Sequence, residues 1–114
     1  MTLFFAKGSG KYFNVKTSVD GYTFSSKREA NRYCQLKILA RVGEIDELEL
    51  QPRFALLVNG HKVCTYIGDF RYRLVSTGAS VVEDVKSKAT RTPIYLLKRK
   101  LMRAILKIEI VEIA

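Results

Sequence analysis

Residues 66 to 86 constrain the fold of this chain more than any other segment. Residues 69 to 74 alternate loosely between polar and apolar side chains, which indicates a β-strand. Residues 81 to 85 are rich in β-branched side chains and follow a turn around Thr77-Gly78. The pattern predicts a hairpin of two strands.

The charged residues of this hairpin are expected to meet on one face. Successive side chains of a strand point to opposite faces, so Asp84 and Lys86 should share one face, and Glu83 and Val85 the other. If the first strand brings Asp69 to the face of Asp84, two carboxylates and an ammonium converge there. Carboxylate oxygens suit Mg²⁺, and a neighbouring lysine can hold the attacking water or offset charge on a phosphate. The pattern predicts a metal-dependent phosphodiesterase site.

The alternative is an exposed hairpin whose acids and lysine form only surface ion pairs of little energetic value. The valines at positions 81, 82 and 85 favour the catalytic interpretation. They indicate an interior strand, where an unpaired charge is costly and usually has a function.

Asp69, a gap, and then Asp84-Val85-Lys86 at the end of a hydrophobic strand resemble the pattern of the PD-(D/E)xK nuclease superfamily. From about residue 11 onward the chain also resembles a family of small phage-encoded proteins catalogued as a domain of unknown function. The superfamily pattern has a proline before the first aspartate, where this chain has Gly68. The motifs that carry the second resemblance are Phe24-Ser25-Ser26-Lys27-Arg28-Glu29-Ala30, Leu48-Glu49-Leu50-Gln51-Pro52, Tyr66-Ile67-Gly68-Asp69-Phe70, Val82-Glu83-Asp84-Val85-Lys86 and Leu97-Lys98-Arg99-Lys100-Leu101.

The resemblance implies a DNA endonuclease dependent on Mg²⁺ or Mn²⁺. It implies that Asp69 and Asp84 bind the ion, with the Val85 carbonyl and Glu29 as further ligands, and that Lys86 orients the attacking water. It also implies a restriction-endonuclease-like core. Similar small phage nucleases include Holliday-junction resolvases, which suggests branched DNA as the substrate and a homodimer, with the first hairpin exchanged or packed between subunits.

Three further residues are secondary candidates, and Glu29 has a second interpretation. Gln51 resembles a family residue near the site but is also a plausible loop amide. Lys98 could snorkel along its helix or point into the site, and Glu83 is the rival of Asp84 as second ligand. Glu29 could instead complete a capping box with Ser26.

The composition predicts one compact domain, residues 1–114, with a nucleic-acid partner. Twenty Lys and Arg residues against eleven Asp and Glu residues give a formal net charge of +9, which favours a polyanion as the binding partner.

No segment is apolar for about 18 residues, the length that spans a bilayer. Cys34 and Cys64 lie far apart, which favours small buried thiols in a reduced, cytoplasmic protein, in the bacterial host if the chain is phage-encoded.

Basic residues form two zones on either side of the proposed site. A duplex across both zones would be held mainly through its phosphates; an ordinary solvated basic surface is the alternative. The DNA-binding candidates are Lys27, Arg28, Lys88, Arg91, Lys98, Arg99, Lys100 and Arg103.

The predicted order of elements is ββ-α-β-β-β-α-β, an α/β or α+β fold with a mixed sheet flanked by two helices. Residues 1–10 are expected to form a flexible arm, and residues 11–25 a hairpin that turns at Asp20-Gly21. Residues 44 to 57 are expected to be an extended connection that leads into the first central strand. In the second helix, after Thr92-Pro93, the expected inward residues are Ile94, Leu97, Leu101, Met102 and Ile105.

Three other functions fit the same chain less well. A degenerate nuclease would bind nucleic acid without cutting it, and a nicking or trimming nuclease would act on linear DNA. An inhibitor of a host protein has no support in the sequence beyond the presumed phage origin.

Overall fold

The computed structural model describes the backbone of residues 4–5 and 15–114. These residues form a mixed α+β structure with two α-helices and several strands. The chain divides into two compact units, Met1–Val42 and Gly43–Ala114, and each is described by itself. No helix within the described ranges is long and apolar enough to cross a membrane.

The first unit begins with an antiparallel three-stranded sheet. Strand β1 (Phe4–Phe5) pairs with β2 (Val15–Val19), which pairs with β3 (Tyr22–Phe24). Asp20 and Gly21 connect β2 to β3 with φ values of 53° and 81°, as a two-residue hairpin turn requires. The predicted hairpin is therefore confirmed over residues 15–24. The predictions for residues 1–3 and 6–14 lie outside the described residues.

Helix α1 (Lys27–Arg41) follows, with Ser26 as its N-cap. The Ser26 hydroxyl accepts a 3.2 Å hydrogen bond from the main-chain N–H of Glu29. At the other end Gly43 has a φ of 84°, the left-handed conformation that commonly terminates a helix. The buried side of α1 carries Ala30, Tyr33 and Leu36.

Tyr33 joins α1 to the hairpin of the same unit. Its ring lies 5.1 Å from that of Phe24 and 5.9 Å from that of Tyr22, measured between centroids. Its hydroxyl donates a 3.0 Å hydrogen bond to Asp20, which also accepts one of 2.8 Å from Lys37. Tyr22 and Phe24 of the hairpin therefore pack against the helix.

The second unit combines a four-stranded sheet, a two-stranded ribbon and a helix. Its elements in chain order are β4 (Ile45–Leu50), β5 (Arg53–Val58), β6 (His61–Ile67), β7 (Phe70–Leu74), β8 (Ser80–Val85), α2 (Pro93–Leu101), a π-helical turn (Met102–Leu106) and β9 (Ile110–Ile113). The sheet has the strand order β4-β7-β8-β9, in which the first two pairs are antiparallel and β9 is parallel to β8. Strands β5 and β6 form the ribbon.

The expectation of an extended connection over residues 44 to 57 was wrong. Residues 45–50 are the edge strand of the sheet, and residues 53–58 pair only with β6 within the described residues. Alternation in β4 is interrupted at Glu47, whose φ is 55° and where the register with β7 shifts. Such a bulge hides the strand period from sequence analysis.

The expected inward side of the second helix was confirmed at Leu101, Met102 and Ile105 but was wrong at Ile94 and Leu97. Ile94 and Leu97 are 67% and 57% exposed, whereas Tyr95 is only 6% exposed. A tyrosine can replace an aliphatic residue in a core when its hydroxyl finds a partner, and Tyr95 does so with Glu112. After Leu101 the helix continues as a π-helical turn, Met102–Leu106.

The core of the second unit lies between the sheet, the ribbon and α2. Leu101 and Ile105 pack against it as expected. The core residues are Phe54, Leu56, Tyr66, Val82, Tyr95, Met102 and Ile110.

Both cysteines are free thiols, as expected, but the expectation that both are buried was wrong. Cys34 is exposed, and Cys64 is half-buried.

Candidate metal centre

The predicted hairpin of β7 and β8 places Asp84 and Glu83 on opposite faces of the sheet. In an antiparallel pair, residues directly opposite each other share a face. Phe70 lies opposite Glu83, and Arg71 lies opposite Val82. By strand alternation Asp84 is on the face of Val82, which packs in the core, and Glu83 is on the other.

Asp69, immediately before β7, is attached to the end of β8. Its Oδ2 accepts a 2.7 Å hydrogen bond from the main-chain N–H of Val85. Its own N–H donates a 3.0 Å bond to the carbonyl of Glu83. The carboxyl group of Asp69 therefore lies beside the peptide that links Asp84 to Val85.

Asp84 is nearly buried, with 5% of its side chain exposed. Its Oδ2 accepts a 2.6 Å hydrogen bond from the Tyr66 hydroxyl, and its Oδ1 lies 3.4 Å from Nζ of Lys86. Burial, together with the hydrogen bond to this carboxylate, raises the pKa of Tyr66 far above its usual range. Tyr66 therefore stays a protonated donor that fixes the orientation of Asp84.

Lys86 extends from the end of β8 over an aromatic ring. Its Nζ lies 4.3 Å from the ring centroid of Tyr95, and 17% of its side chain is exposed. This side chain therefore has two neighbours of complementary charge, the carboxylate of Asp84 and the π face of Tyr95.

Glu112 of β9 closes this cluster, because it is in register with Asp84 in the parallel pair. Its carboxylate accepts a 2.8 Å hydrogen bond from the Tyr95 hydroxyl and lies 3.0 Å from Nε of Arg91 and 3.2 Å from Nη1 of Arg99. Burial opposes ionisation of Glu112, but its hydrogen bonds with Tyr95 and Arg91 and the two positive charges hold its pKa below the usual value.

Sequence reasoning missed Tyr66, Tyr95 and Glu112. The two tyrosines are indistinguishable in sequence from ordinary core aromatics, and the register of β9 depends on a parallel pairing across α2. The alternation of residues 107 to 113 predicts a strand, without indicating that one of its acids lies beside Asp84.

The position before Asp69 is occupied by Gly68, and the space around it is tight. A Cβ at this position would lie 3.3 Å from Cγ1 of Val82 and 3.4 Å from side-chain atoms of Pro52 and Tyr66. The N–H of Gly68 also donates a 3.0 Å hydrogen bond to the carbonyl of Pro52, which a proline could not do. Glycine thus lets Tyr66 approach Asp84 while keeping this main-chain bond.

Glu83 is 1% exposed and accepts a hydrogen bond from the Tyr72 hydroxyl on the face opposite Asp84. Gln51 has an exposed side chain, but its main-chain N–H donates a 3.0 Å bond to the Asp69 carbonyl. Gln51 therefore lies next to the site through its backbone.

Glu29 belongs to the first unit, and its role as a ligand stays a prediction. It is half-buried, and the Ser25 hydroxyl donates to its carboxylate. Ser26 caps the helix, and the Glu29 carboxylate accepts a hydrogen bond from the neighbouring serine, Ser25.

The proposed DNA-binding residues fall into two groups. Arg91 and Arg99 pair with Glu112, and Arg103 pairs with Glu109 at 2.7 Å. Within residues 15–114 the other candidates form no ion pair; Lys98 is half-buried, and the rest are exposed. This second group is Lys27, Arg28, Lys88, Lys98 and Lys100.

Asp69 and Asp84 are the donors of this cluster that suit a metal ion. Among the described residues there is no group of three or more His, Cys, Asp or Glu side chains that could hold one. Two carboxylates fit Mg²⁺ or Mn²⁺ nevertheless, because Mg²⁺ keeps several waters and is often bound through one or two carboxylates plus a substrate phosphate.

The sequence model of one protein family, described as "Protein of unknown function (DUF1064)", matches residues 9–110. No curated protein and no solved structure matches the chain. Because the family match covers most of the 114 residues, this chain belongs to the DUF1064 family of proteins of unknown function.

Proposed function

We propose that this protein is a Mg²⁺- or Mn²⁺-dependent DNA endonuclease of the PD-(D/E)xK superfamily, with a restriction-endonuclease-like core. The observation that carries the proposal is the 2.7 Å hydrogen bond from the Val85 N–H to Asp69. It attaches the carboxyl group of Asp69 to the end of β8, beside the peptide of Asp84, which is fifteen positions further along the chain. The same strand end carries Lys86.

Asp69 and Asp84 would hold the metal ion, with the Val85 carbonyl as a further ligand. A bound divalent ion lowers the pKa of a coordinated water and offsets the negative charge that develops on phosphorus. The assignment of Glu29 as an additional ligand rests on the resemblance alone.

Lys86 would act on the attacking water and on the scissile phosphate. Its ammonium lies 3.4 Å from Oδ1 of Asp84, so a water held at that carboxylate is within reach of a donor. Preorganised positive charge at the position where negative charge develops is one of the strongest catalytic devices.

The substrate we propose is branched duplex DNA, cut by a homodimer in the cytoplasm of a bacterial host. The net charge of +9 supports a phosphate-rich partner. The exposed candidates Lys27, Arg28, Lys88 and Lys100 offer positive charge outside the acidic site. The preference for a branch, the dimer and the location rest on the resemblance.

A second candidate is a protein that binds nucleic acid without cutting it. Both carboxylate oxygens of Asp84 have partners in the structure, namely Tyr66 and Lys86. An acid satisfied in this way needs no metal ion, which favours a degenerate site.

Cleavage of a panel of end-labelled DNAs separates the two candidates. The panel contains a four-way junction, a nicked duplex, a linear duplex and a single strand, each incubated with Mg²⁺, Mn²⁺ or Ca²⁺. We expect cutting of the junction with Mg²⁺ or Mn²⁺, and its loss in Asp84→Asn with junction binding in Ca²⁺ retained. Preferential cutting of linear DNA would indicate a nicking or trimming nuclease. A wild-type protein that binds but never cuts would be the non-catalytic binder.

A further inference from the structure

A continuous set of contacts connects β9 to the ammonium of Lys86. Arg91 and Arg99 hold the carboxylate of Glu112, which accepts a 2.8 Å hydrogen bond from the Tyr95 hydroxyl. The ring of Tyr95 lies beneath Nζ of Lys86 at 4.3 Å. Tyr95 is 6% exposed and packs in the core of the second unit, so its position is fixed on both sides.

We propose that Tyr95 is a positioning residue for Lys86 in the cleavage reaction, with Glu112 as the group that holds its ring in place. This inference rests on the proposed nuclease function. In this role Tyr95 acts through the lysine.

The physical reason is the flexibility of the lysine side chain. An ammonium on a four-carbon stem loses considerable rotamer freedom when it is held in one place. Lys86 has two neighbours that oppose its movement, Oδ1 of Asp84 at 3.4 Å and the π face of Tyr95. An ammonium that is already in place when substrate binds need not be ordered during the reaction, which lowers the barrier.

Glu112 has a separate part in this arrangement. A ring held only by packing can tilt, whereas a hydroxyl bound to a fixed carboxylate fixes the far end of the ring as well. Glu112 is itself held by two arginines. Arg91 and Arg99 therefore have a role within the protein, besides any contact with DNA.

The contact can be measured without any enzyme activity. Protons above an aromatic ring resonate upfield, so the ε-methylene protons of Lys86 should be displaced from those of the other lysines. The test is an NMR spectrum of lysine-labelled protein, with the Lys86 signal assigned by its loss in Lys86→Arg. We expect the displacement in the wild type, most of it in Tyr95→Phe, and none in Tyr95→Leu.

The role in the reaction is tested by the same variants in single-turnover cleavage of the best substrate in the panel. A cation over an aromatic ring contributes roughly 0.5–2 kcal/mol, so the cleavage rate should fall about tenfold in Tyr95→Leu. Tyr95→Phe keeps the ring but loses the hydrogen bond to Glu112, and its cleavage rate should fall about threefold. The Kd for the same DNA in Ca²⁺ should stay within about twofold of the wild type, because Tyr95 is buried away from solvent.

Three results would overturn the inference. The first is a Lys86 signal that coincides with those of the other lysines in the wild type. The others are a wild-type cleavage rate in Tyr95→Leu, or a variant whose DNA affinity falls while its cleavage rate does not. If Tyr95→Leu does not fold, the threefold loss in Tyr95→Phe decides, and an unchanged rate there refutes the proposal. A displaced Lys86 signal in a protein that cuts no DNA would refute the nuclease function itself, so the two failures are distinguishable.

Discussion

The main-chain N–H of Val85 donates a 2.7 Å hydrogen bond to Oδ2 of Asp69. This bond fixes a carboxyl group from the start of β7 against the end of β8, beside Asp84. A hydrogen bond from a main-chain donor restricts the orientation of a carboxyl group. The candidate site is therefore held by the sheet itself rather than by a mobile loop.

The first prediction concerns the buried acid on the opposite face. Tyr72→Phe removes the hydrogen bond to Glu83, which is 1% exposed. The free energy of unfolding should fall by about 1–3 kcal/mol, because a buried carboxylate loses a donor. Urea unfolding measures the loss. The matched control is Tyr22→Phe, at a residue that is 51% exposed.

Cleavage by Tyr72→Phe should stay close to the wild-type rate, because Tyr72 and Glu83 lie on the face away from Lys86. A stable variant that has lost cleavage would instead assign the second metal ligand to Glu83.

The second prediction concerns the glycine before Asp69. Gly68→Ala places a methyl group 3.3 Å from Cγ1 of Val82 and 3.4 Å from the Tyr66 ring. Overpacking of this kind costs about 1–3 kcal/mol. Gly68→Pro should lose about 1 kcal/mol more, because the hydrogen bond to the Pro52 carbonyl is removed as well.

A double-mutant cycle identifies the cause of the Gly68→Ala loss. The double variant Gly68→Ala with Val82→Ala should lose less free energy of unfolding than the two single variants lose together, because Val82→Ala makes room for the new methyl group. Strict additivity would show that contact with Val82 is not the cause.

The third prediction concerns the salt dependence of DNA binding. Lys88 and Lys100 are exposed and form no ion pair within residues 15–114, whereas Arg103 pairs with Glu109 at 2.7 Å. Each phosphate contact contributes about 0.9 to the slope of log K against log salt concentration. Lys88→Ala or Lys100→Ala should lower the slope by about that amount.

Arg103→Ala is the matched control and should change the slope by much less. Fluorescence anisotropy with labelled DNA at several salt concentrations measures all three variants. Equal effects at the paired and the unpaired residues would contradict the division into two groups.

The fourth prediction concerns pH and the first unit. Hydrogen bonds from Lys37 and then Tyr33 hold the pKa of Asp20 below its usual value. Since the folded-state pKa is depressed, Asp20 stabilises the fold fully above its unfolded pKa of about 3.9, and this contribution is lost as the pH falls through the lower folded value. Lys37→Met should raise the titration midpoint of the Asp20 carboxyl group in an NMR titration.

Lys27→Met, on the same helix but outside this cluster, should leave the Asp20 midpoint unchanged. The same midpoint in Lys37→Met and the wild type would show that the lysine does not set the pKa.

The local elements were predictable from sequence because their signals are local. Asp20-Gly21 encodes a hairpin turn by its tolerance of positive φ. Ser26 and Thr92 each mark the residue immediately before a helix. Strand alternation separated Asp84 from Glu83 for the same reason, since a period of two needs no knowledge of the partner strands.

The surroundings of the site were not predictable, because they depend on pairings between distant segments. The parallel register that brings Glu112 beside Asp84 crosses the whole of α2. The burial of Tyr95 in place of Ile94 depends on that register, because Glu112 supplies the partner of its hydroxyl. Neither pairing leaves a signal in the residues themselves.

The most direct test of the metal centre is the binding of Mn²⁺ to the wild type, Asp69→Asn, Asp84→Asn and Glu83→Gln, measured by titration calorimetry at one pH. Loss of one charged ligand oxygen should weaken binding at least about tenfold, the loss typical of altered metal-site residues. We predict this loss in Asp69→Asn and in Asp84→Asn, with Glu83→Gln close to the wild type. Equal affinity in all four proteins would contradict a shared metal site at Asp69 and Asp84.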